Sequence, residues 1–207
     1  MSEQTTETIF KHPGVITADL KRLFEILNRL GIKPFLWAGT LLGAVREKQL
    51  IVGDLDMDIA YISQYENPHE VHREMIELYK VLFEMGILEA FFDENRNKFI
   101  HQPPTTGLGQ CHVTLNTSFD EIPIVDLFTM WKQNGRFYDP WFGDIGDAND
   151  FIYKEDACEL YGVKFPGLEN PYPALVKLYG EDWKTPRKEK GGVRNTFRLA
   201  LKIARGL

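Results

Sequence analysis

Residues 54–61 of the chain read DLDMDIAY, and this short stretch carries the strongest signal in the sequence. Acidic and apolar residues alternate along it, which is the two-residue periodicity of a β-strand. In such a strand Asp54, Asp56 and Asp58 point to one face, and the apolar residues between them point to the other. Three like charges on one face repel one another, which favours a bound cation among them.

Two interpretations of this strand stay open on the residues alone. The first is a metal site, because Mg²⁺ or Mn²⁺ prefers oxygen ligands and relieves the repulsion between carboxylates. The second is an edge strand whose solvent-facing acids protect the sheet against aggregation.

The residues just upstream suggest a phosphate contact. Residues 34–38 (PFLWA) predict a buried strand, and the following GTLLGAVRE begins with a turn and continues as a short helix. Gly39 allows close approach of the backbone to a phosphate, Thr40 adds a hydroxyl donor, and the N–H groups at the helix start attract anions. Arg46 lies on the same helix, where either a phosphate contact or a surface salt bridge would suit it.

A fourth acid, Asp126, lies in the middle of the apolar stretch IPIVDLF at residues 122–128. Burying a carboxylate without a partner is unfavourable. If this strand lies beside residues 54–61, Asp126 completes a carboxylate cluster. The alternative is a carboxylate that accepts backbone hydrogen bonds at a strand end.

The remaining periodicity predicts an α+β fold, a mixed sheet flanked by helices. Apolar residues at helical spacing predict a first helix capped by Thr17 and ended by Gly31, and Asn67 with Pro68 opens another. Two further helices are predicted at residues 173–179 and 193–204.

Most of the strands are predicted between residues 87 and 139, at residues 87–92, 98–102, 110–115, 122–132 and 136–139. Asn134 and Gly135 have the composition of a type I′ hairpin turn between the last two of these strands. Residues 141–170 give no clear prediction. We expect a single domain over residues 1–207, with residues 140–207 as a candidate C-terminal subdomain.

Charge is unevenly distributed along the chain, whose net charge is −6. Residues 184–207 contain eight Lys and Arg against one acid, whereas the rest contains 16 basic and 29 acidic residues. This asymmetry predicts either a basic arm that contacts an anionic partner or a solvated helix face. Lys184 and Arg187 are candidate contacts to a diphosphate or an anionic acceptor. Since the whole chain is acidic, we expect no nucleic-acid partner.

The sequence also bears on location. No apolar run approaches the roughly 20 residues that span a bilayer, and residues 1–11 resemble neither a secretory signal nor a transit peptide. Cys111 and Cys158 lack CxxC spacing, and we expect both to be reduced. These features predict a cytoplasmic protein. The amphipathic basic helix at residues 193–204 is a candidate peripheral contact with the inner face of the membrane.

The combination of motifs resembles a known family. GTLLGAVRE at residues 39–47, then DLDMDI, then Asp126 in an apolar strand, is similar to the LicD phosphotransferase family, which includes fukutin and fukutin-related protein. YGEDW at residues 179–183 with Pro186 resembles the closing motif of that family. The resemblance covers residues 17 to about 186 and implies a nucleotidyltransferase fold of the DNA polymerase beta superfamily, with a C-terminal helical segment.

The resemblance implies a metal-dependent phosphotransferase. Such an enzyme moves phosphocholine, ribitol phosphate or glycerol phosphate from a CDP-linked donor to a hydroxyl of a glycan or glycolipid and releases CMP. Mg²⁺ or Mn²⁺ would be held by Asp56, Asp58 and Asp126, with Asp54 or Asp126 accepting the hydroxyl proton. The residues implied to contact the phosphates or substrate are Gly39, Thr40, Arg46, Lys184 and Arg187.

Two other functions stay open. A nucleotidyltransferase would transfer NMP from an NTP and release pyrophosphate, since a shared fold does not fix the reaction. A non-catalytic relative would only bind a glycan or a membrane surface. The group transferred is also open: choline calls for an aromatic cage, and the candidate aromatic residues are Phe91, Phe92, Tyr138, Trp141 and Phe142. His112 falls in a predicted strand, where it would line the pocket or fill the core.

Overall fold

The protein is described by a computed structural model that covers residues 12–52, 54, 56–93, 98–100, 111–122 and 124–186. It contains four α-helices in this part of the chain: α1 (Pro13–Arg29), α2 (Ala38–Arg46), α3 (Pro68–Glu84) and α4 (Tyr172–Tyr179). None of the helices that the structure describes is long and apolar enough to cross a membrane. Arg187 and the predicted helix at residues 193–204 lie outside the described residues.

The described residues also form ten β-strands, whose bounds are β1 (Phe35–Leu36), β2 (Met57–Ile62), β3 (Leu88–Asp93), β4 (Lys98–Ile100), β5 (His112–Thr117), β6 (Ile124–Gln133), β7 (Arg136–Asp139), β8 (Gly143–Asp147), β9 (Tyr153–Leu160) and β10 (Val163–Leu168). The main sheet has the order β1-β2-β6-β5-β3-β4, and the β7–β8 hairpin extends the far end of β6. The pair β2 and β6 is parallel and the other pairs are antiparallel, so the sheet is mixed. The α+β prediction is therefore confirmed.

The first helix is capped at His12, five residues before the predicted cap Thr17. Pro13 occupies its first turn, where its missing N–H is not needed. Thr17 is not a cap but lies inside the helix, where its hydroxyl donates to the carbonyls of Pro13 and Gly14 at 3.0 and 3.1 Å. Gly31 has a φ of +82°, and this left-handed conformation ends the helix as predicted.

The strand predicted at residues 54–61 begins only at Met57, so Asp54 and Asp56 precede it. The reason is the lack of neighbouring backbone. On one side β1 pairs only with Ile59 and Ala60, and on the other side the pairing with β6 begins at Met57 opposite Val125. The expectation that three carboxylates alternate along one strand was therefore wrong, and only Asp58 is a strand residue.

Several local predictions are confirmed. Asn67 caps α3, and its side-chain oxygen accepts a hydrogen bond from the N–H of His69 at 2.9 Å. Asn134 and Gly135 have φ values of +51° and +74°, as a type I′ turn between β6 and β7 requires. Residues 141–170 form β8, β9 and β10, which the sequence did not predict because β9 is mostly exposed and shows no clean alternation.

The core lies between the sheet and the helices, and its largest fully buried side chains include Trp37, Tyr61, Tyr79 and Phe137. Both cysteines are free and buried. Burial raises the pKa of the Cys111 thiol to about 12 and that of Cys158 to about 11, which makes both thiols poor nucleophiles.

Candidate active site

Asp58 and Asp126 lie directly opposite each other on the parallel strands β2 and β6. Paired residues on adjacent strands point to the same face of a sheet, so the two carboxylates share one face. Strands β2 and β6 are therefore neighbours, which was the condition for Asp126 to complete a carboxylate cluster.

The edge-strand interpretation of the acidic stretch is wrong. Strand β2 lies inside the sheet between β1 and β6. Asp54 is only 2% exposed, so it does not guard a solvent-facing edge. A buried carboxylate needs a compensating partner, whereas an acid on an exposed strand edge is solvated by water.

The start of α2 holds Asp58 in place through three hydrogen bonds. The Gly39 amide donates to Asp58 Oδ2 at 2.7 Å, and the Asp58 amide donates to the Thr40 hydroxyl oxygen at 2.8 Å. The Trp37 amide donates to the Asp58 carbonyl at 3.1 Å. The carboxylate therefore has a fixed orientation toward the helix start.

Gly39 is the point at which two of the carboxylates converge. A Cβ atom at this position would lie 2.8 Å from Asp58 Oδ2 and 3.1 Å from Asp54 Oδ2. No side chain fits there unless the carboxylates move, so Gly39 is needed for close approach rather than for an unusual backbone angle.

Gly39 and Thr40 were predicted to contact phosphate, and the structure gives both a second role. The amide of Gly39 and the fully buried hydroxyl of Thr40 hold Asp58. Whether either also contacts phosphate stays a prediction.

Two further residues that were predicted to contact phosphate, Arg46 and Lys184, contact other groups of the protein. Arg46, in the last turn of α2, binds the carboxylate of Glu47 and donates to the Trp183 carbonyl at 3.3 Å. Its side chain is only 13% exposed, so the ion pair is not a surface one. The Lys184 ammonium lies over the rings of Tyr172 and Trp183, at 5.4 and 5.5 Å. Phosphate contacts by Arg46 and Lys184 stay predictions.

The electrostatics of the cluster are dominated by burial and repulsion. Burial raises the pKa of Asp58 well above its usual value, and the charges of Asp56, Asp126 and Asp54 raise it further, while the Gly39 amide lowers it. The other three acids of the cluster therefore all act on Asp58. Oδ1 of Asp126 is buried and accepts no hydrogen bond from the described residues.

These properties fit a hard divalent cation, which carboxylate oxygens bind readily and which relieves such repulsion. Among the described residues, however, no three His, Cys, Asp or Glu side chains are already arranged as a metal-binding group. A cation bound by Asp56, Asp58 and Asp126 therefore stays a prediction.

His112, which the sequence left ambiguous, lies beside the carboxylates. Its Nε2 is 3.4 Å from Asp126 Oδ2, and its side chain is 2% exposed. The ring packs on Phe128 and meets Trp141 edge-on, with centroid distances of 4.4 and 4.7 Å. Strand register explains the arrangement, because Thr114 pairs with Asp126 and His112 with Phe128 on the same face.

Asp139 is a structural residue that the sequence analysis missed. It is fully buried, and its Oδ1 accepts hydrogen bonds from the amides of Trp141 and Phe142 at 2.7 and 2.9 Å. Its Oδ2 accepts from the indole N–H of Trp37 at 2.9 Å. The Asp139-Pro140 pair was a local signal for the start of the turn. No nearby residue indicated that Asp139 would bind the indole of Trp37.

Residues 31–174, well over half of the chain, match the family described as LicD/FKTN/FKRP, nucleotidyltransferase domain. The chain belongs to the LicD family. The LicD match includes all four acids of the cluster, as well as Gly39, His112 and Trp141, whereas Lys184 and Arg187 lie beyond it.

Two curated proteins of Caenorhabditis elegans are similar to this LicD chain. Uncharacterized protein W02B3.4 is 28% identical over 173 residues, which are 79% of this chain and 40% of the relative. Uncharacterized protein T07A5.1 is 27% identical over 187 residues, which are 84% of this chain and 44% of the relative. The chain thus spans less than half the length of these two relatives.

Proposed function

We propose that this LicD-family chain is a metal-dependent phosphotransferase. It moves a phospho-alcohol group, namely phosphocholine, ribitol phosphate or glycerol phosphate, from a CDP-linked donor to a glycan hydroxyl and releases CMP. The observation that carries the proposal is the pairing of Asp58 with Asp126 on adjacent parallel strands, with Asp54 converging on the same Gly39. Family membership supports the transferase class and the glycan acceptor.

The acids would hold Mg²⁺ or Mn²⁺ through Asp56, Asp58 and Asp126. A divalent cation supplies charge neutralisation of the phosphates and polarisation of the phosphorus–oxygen bond. The buried Oδ1 of Asp126 and the mutual repulsion around Asp58 support such a ligand set.

In the reaction, the acceptor hydroxyl oxygen forms a bond to the phosphorus distal to cytidine. The bond between that phosphorus and the bridging oxygen breaks, and CMP leaves with the electron pair. Asp54 or Asp126 accepts the hydroxyl proton. The Gly39–Asp58 hydrogen bond keeps the carboxylate in one orientation through the reaction, which preserves alignment.

A nucleotidyltransferase reaction is the second candidate, because the matching family is described by its nucleotidyltransferase domain. The same acids would then support attack on the α-phosphate of an NTP, and pyrophosphate would leave. The two reactions differ in product rather than in the carboxylate arrangement.

The expected partners are a CDP-linked donor and a glycan or glycolipid acceptor, without nucleic acid. We further propose a cytoplasmic location with a peripheral contact between membrane and the basic residues 193–204. Binding to vesicles that contain anionic lipid, with and without residues 187–207, tests this contact. Equal binding by both forms would contradict it.

A product assay tests the reaction. The protein is incubated with Mg²⁺ or Mn²⁺ and CDP-choline, CDP-ribitol, CDP-glycerol or CTP, beside the Asp58→Asn and Asp144→Asn variants. Asp144 is a matched control, since it is exposed and binds Arg136 on the β7–β8 hairpin. We expect metal-dependent CMP from one CDP donor, lost in Asp58→Asn and kept in Asp144→Asn. Pyrophosphate from CTP would instead favour the second candidate, and no product from any donor would favour a non-catalytic relative.

A further inference from the structure

Trp141 and Phe142 are two adjacent aromatic residues that lie largely in solvent, being 59% and 50% exposed. Burying an aromatic side chain is strongly favourable, so an exposed tryptophan commonly marks a contact surface. Trp141 lies on the turn between β7 and β8. Its ring contacts His112 and Phe128, which lie on the sheet face that carries Asp126.

The backbone of this turn is firmly held. Asp139 accepts hydrogen bonds from the amides of both Trp141 and Phe142, and its other oxygen accepts from the indole of Trp37. Trp37 is the residue that precedes α2, the helix whose start holds Asp58. The exposed tryptophan is therefore anchored to the same helix start as Asp58.

The ring of Trp141 is also placed by its neighbours. It meets His112 edge-on at 4.7 Å and Phe128 at 5.8 Å between centroids. His112 in turn is 3.4 Å from Asp126. Only one side chain thus separates the exposed indole from the carboxylate cluster.

We propose that Trp141 is the platform on which the nucleobase of the donor stacks. This inference rests on the proposed function, because it takes the nucleotide-linked donor from there. His112 and Phe128, whose rings contact Trp141, are buried, so neither of them presents an open face beside the exposed indole. One exposed aromatic face suits a flat ring, whereas a quaternary ammonium requires several faces around it.

A base-specific binding test distinguishes this role from a structural one. Calorimetric titration with Mg²⁺ compares CMP with ribose 5-phosphate, which keeps the sugar phosphate but lacks the base. It is run on the wild type, Trp141→Leu and Trp141→Phe. Phe142→Leu is the matched control, since it removes a half-exposed ring from the same turn.

We expect Trp141→Leu to raise the Kd of CMP about 10-fold, the range expected for loss of one base–aromatic stack. Its Kd for ribose 5-phosphate and the CMP affinity of Phe142→Leu should stay within about twofold of wild type, and Trp141→Phe should lose less than Trp141→Leu because a smaller ring still stacks.

Three outcomes would overturn the assignment. Unchanged CMP affinity in Trp141→Leu would contradict the stacking role of Trp141. The phosphotransferase proposal would be unaffected, because the CMP-release assay tests it separately. An equal loss for both ligands would make Trp141 structural. If the wild type bound neither ligand with Mg²⁺, the platform and the nucleotide donor of the proposed function would both fail.

Discussion

The indole N–H of Trp37 donates a 2.9 Å hydrogen bond to Asp139 although 102 positions separate the two residues in the chain. Both residues are fully buried. The bond joins the start of α2, which orients Asp58, to the turn that carries Trp141. The Asp139 carboxylate therefore connects the helix start that holds Asp58 with the turn that carries Trp141.

Removal of this carboxylate should destabilise the protein. Asp139→Ala leaves the buried indole N–H of Trp37 without its acceptor and releases two turn amides, so we expect a loss of about 3 kcal/mol in the free energy of unfolding. Urea denaturation measures it. Asp144→Ala removes an exposed partner of Arg136 from the same hairpin and should destabilise the protein far less than Asp139→Ala, because water screens an exposed ion pair. Equal stability of the two variants would contradict the structural role of Asp139.

Gly39→Ala should impair the site more than the fold. The new Cβ would lie 2.8 Å from Asp58 Oδ2, closer than real Cβ contacts, so the carboxylates must shift. We expect metal-dependent turnover to fall about 100-fold, the effect of misplacing a catalytic group by roughly 1 Å. Gly14→Ala is the control, because a Cβ there meets nothing within 4 Å. Full activity in Gly39→Ala would show that this close approach is not needed.

Thr40 offers a test of how Asp58 is oriented. Thr40→Val keeps the shape of the fully buried side chain but removes the acceptor of the Asp58 amide, so we expect a loss of about 1–3 kcal/mol in unfolding free energy together with reduced activity. Thr40→Ser keeps the hydroxyl and should retain most of the activity. If valine were tolerated as well as serine, the Thr40–Asp58 hydrogen bond would have no role in the site.

The raised pKa of Asp58 predicts a specific pH dependence in EDTA. Burial and the neighbouring acids favour the protonated form, so its stabilising contribution is full below the unfolded pKa of about 3.9 and is lost as pH rises through the higher folded pKa. We expect the unfolding free energy of wild type relative to Asp58→Asn to decrease as pH rises from about 4. A difference that stays constant over this range would contradict the raised pKa of Asp58.

The outline of the fold followed from local sequence patterns, and its errors have local causes. The helix and hairpin signals at Asn67 and Asn134 were reliable because capping and turn geometry depend on few neighbouring residues. Thr17 was misassigned because the same hydroxyl can cap a helix or bond back within it. The start of β2 depended on where β1 and β6 offer partners, which alternation in residues 54–61 does not encode.

The part of the site that could be predicted likewise followed from local sequence patterns. Alternating acids and an isolated Asp126 in an apolar strand indicated a carboxylate cluster, and the parallel register then placed Asp58 opposite Asp126. His112 and Asp139 acquire their roles through contacts with distant residues. Only the three-dimensional arrangement brings His112 to Asp126 and Asp139 to Trp37.

Mn²⁺ binding, measured by electron paramagnetic resonance, tests whether the Asp58–Asp126 pair holds the cation that supports phosphate transfer. The affinity is compared between wild type, Asp58→Asn, Asp126→Asn and Asp144→Asn. We expect wild type and Asp144→Asn to bind Mn²⁺ equally, and each of the two paired variants to bind at least about 10-fold more weakly, since one charged oxygen ligand is lost. Wild-type affinity in both Asp58→Asn and Asp126→Asn would contradict a metal site at this pair.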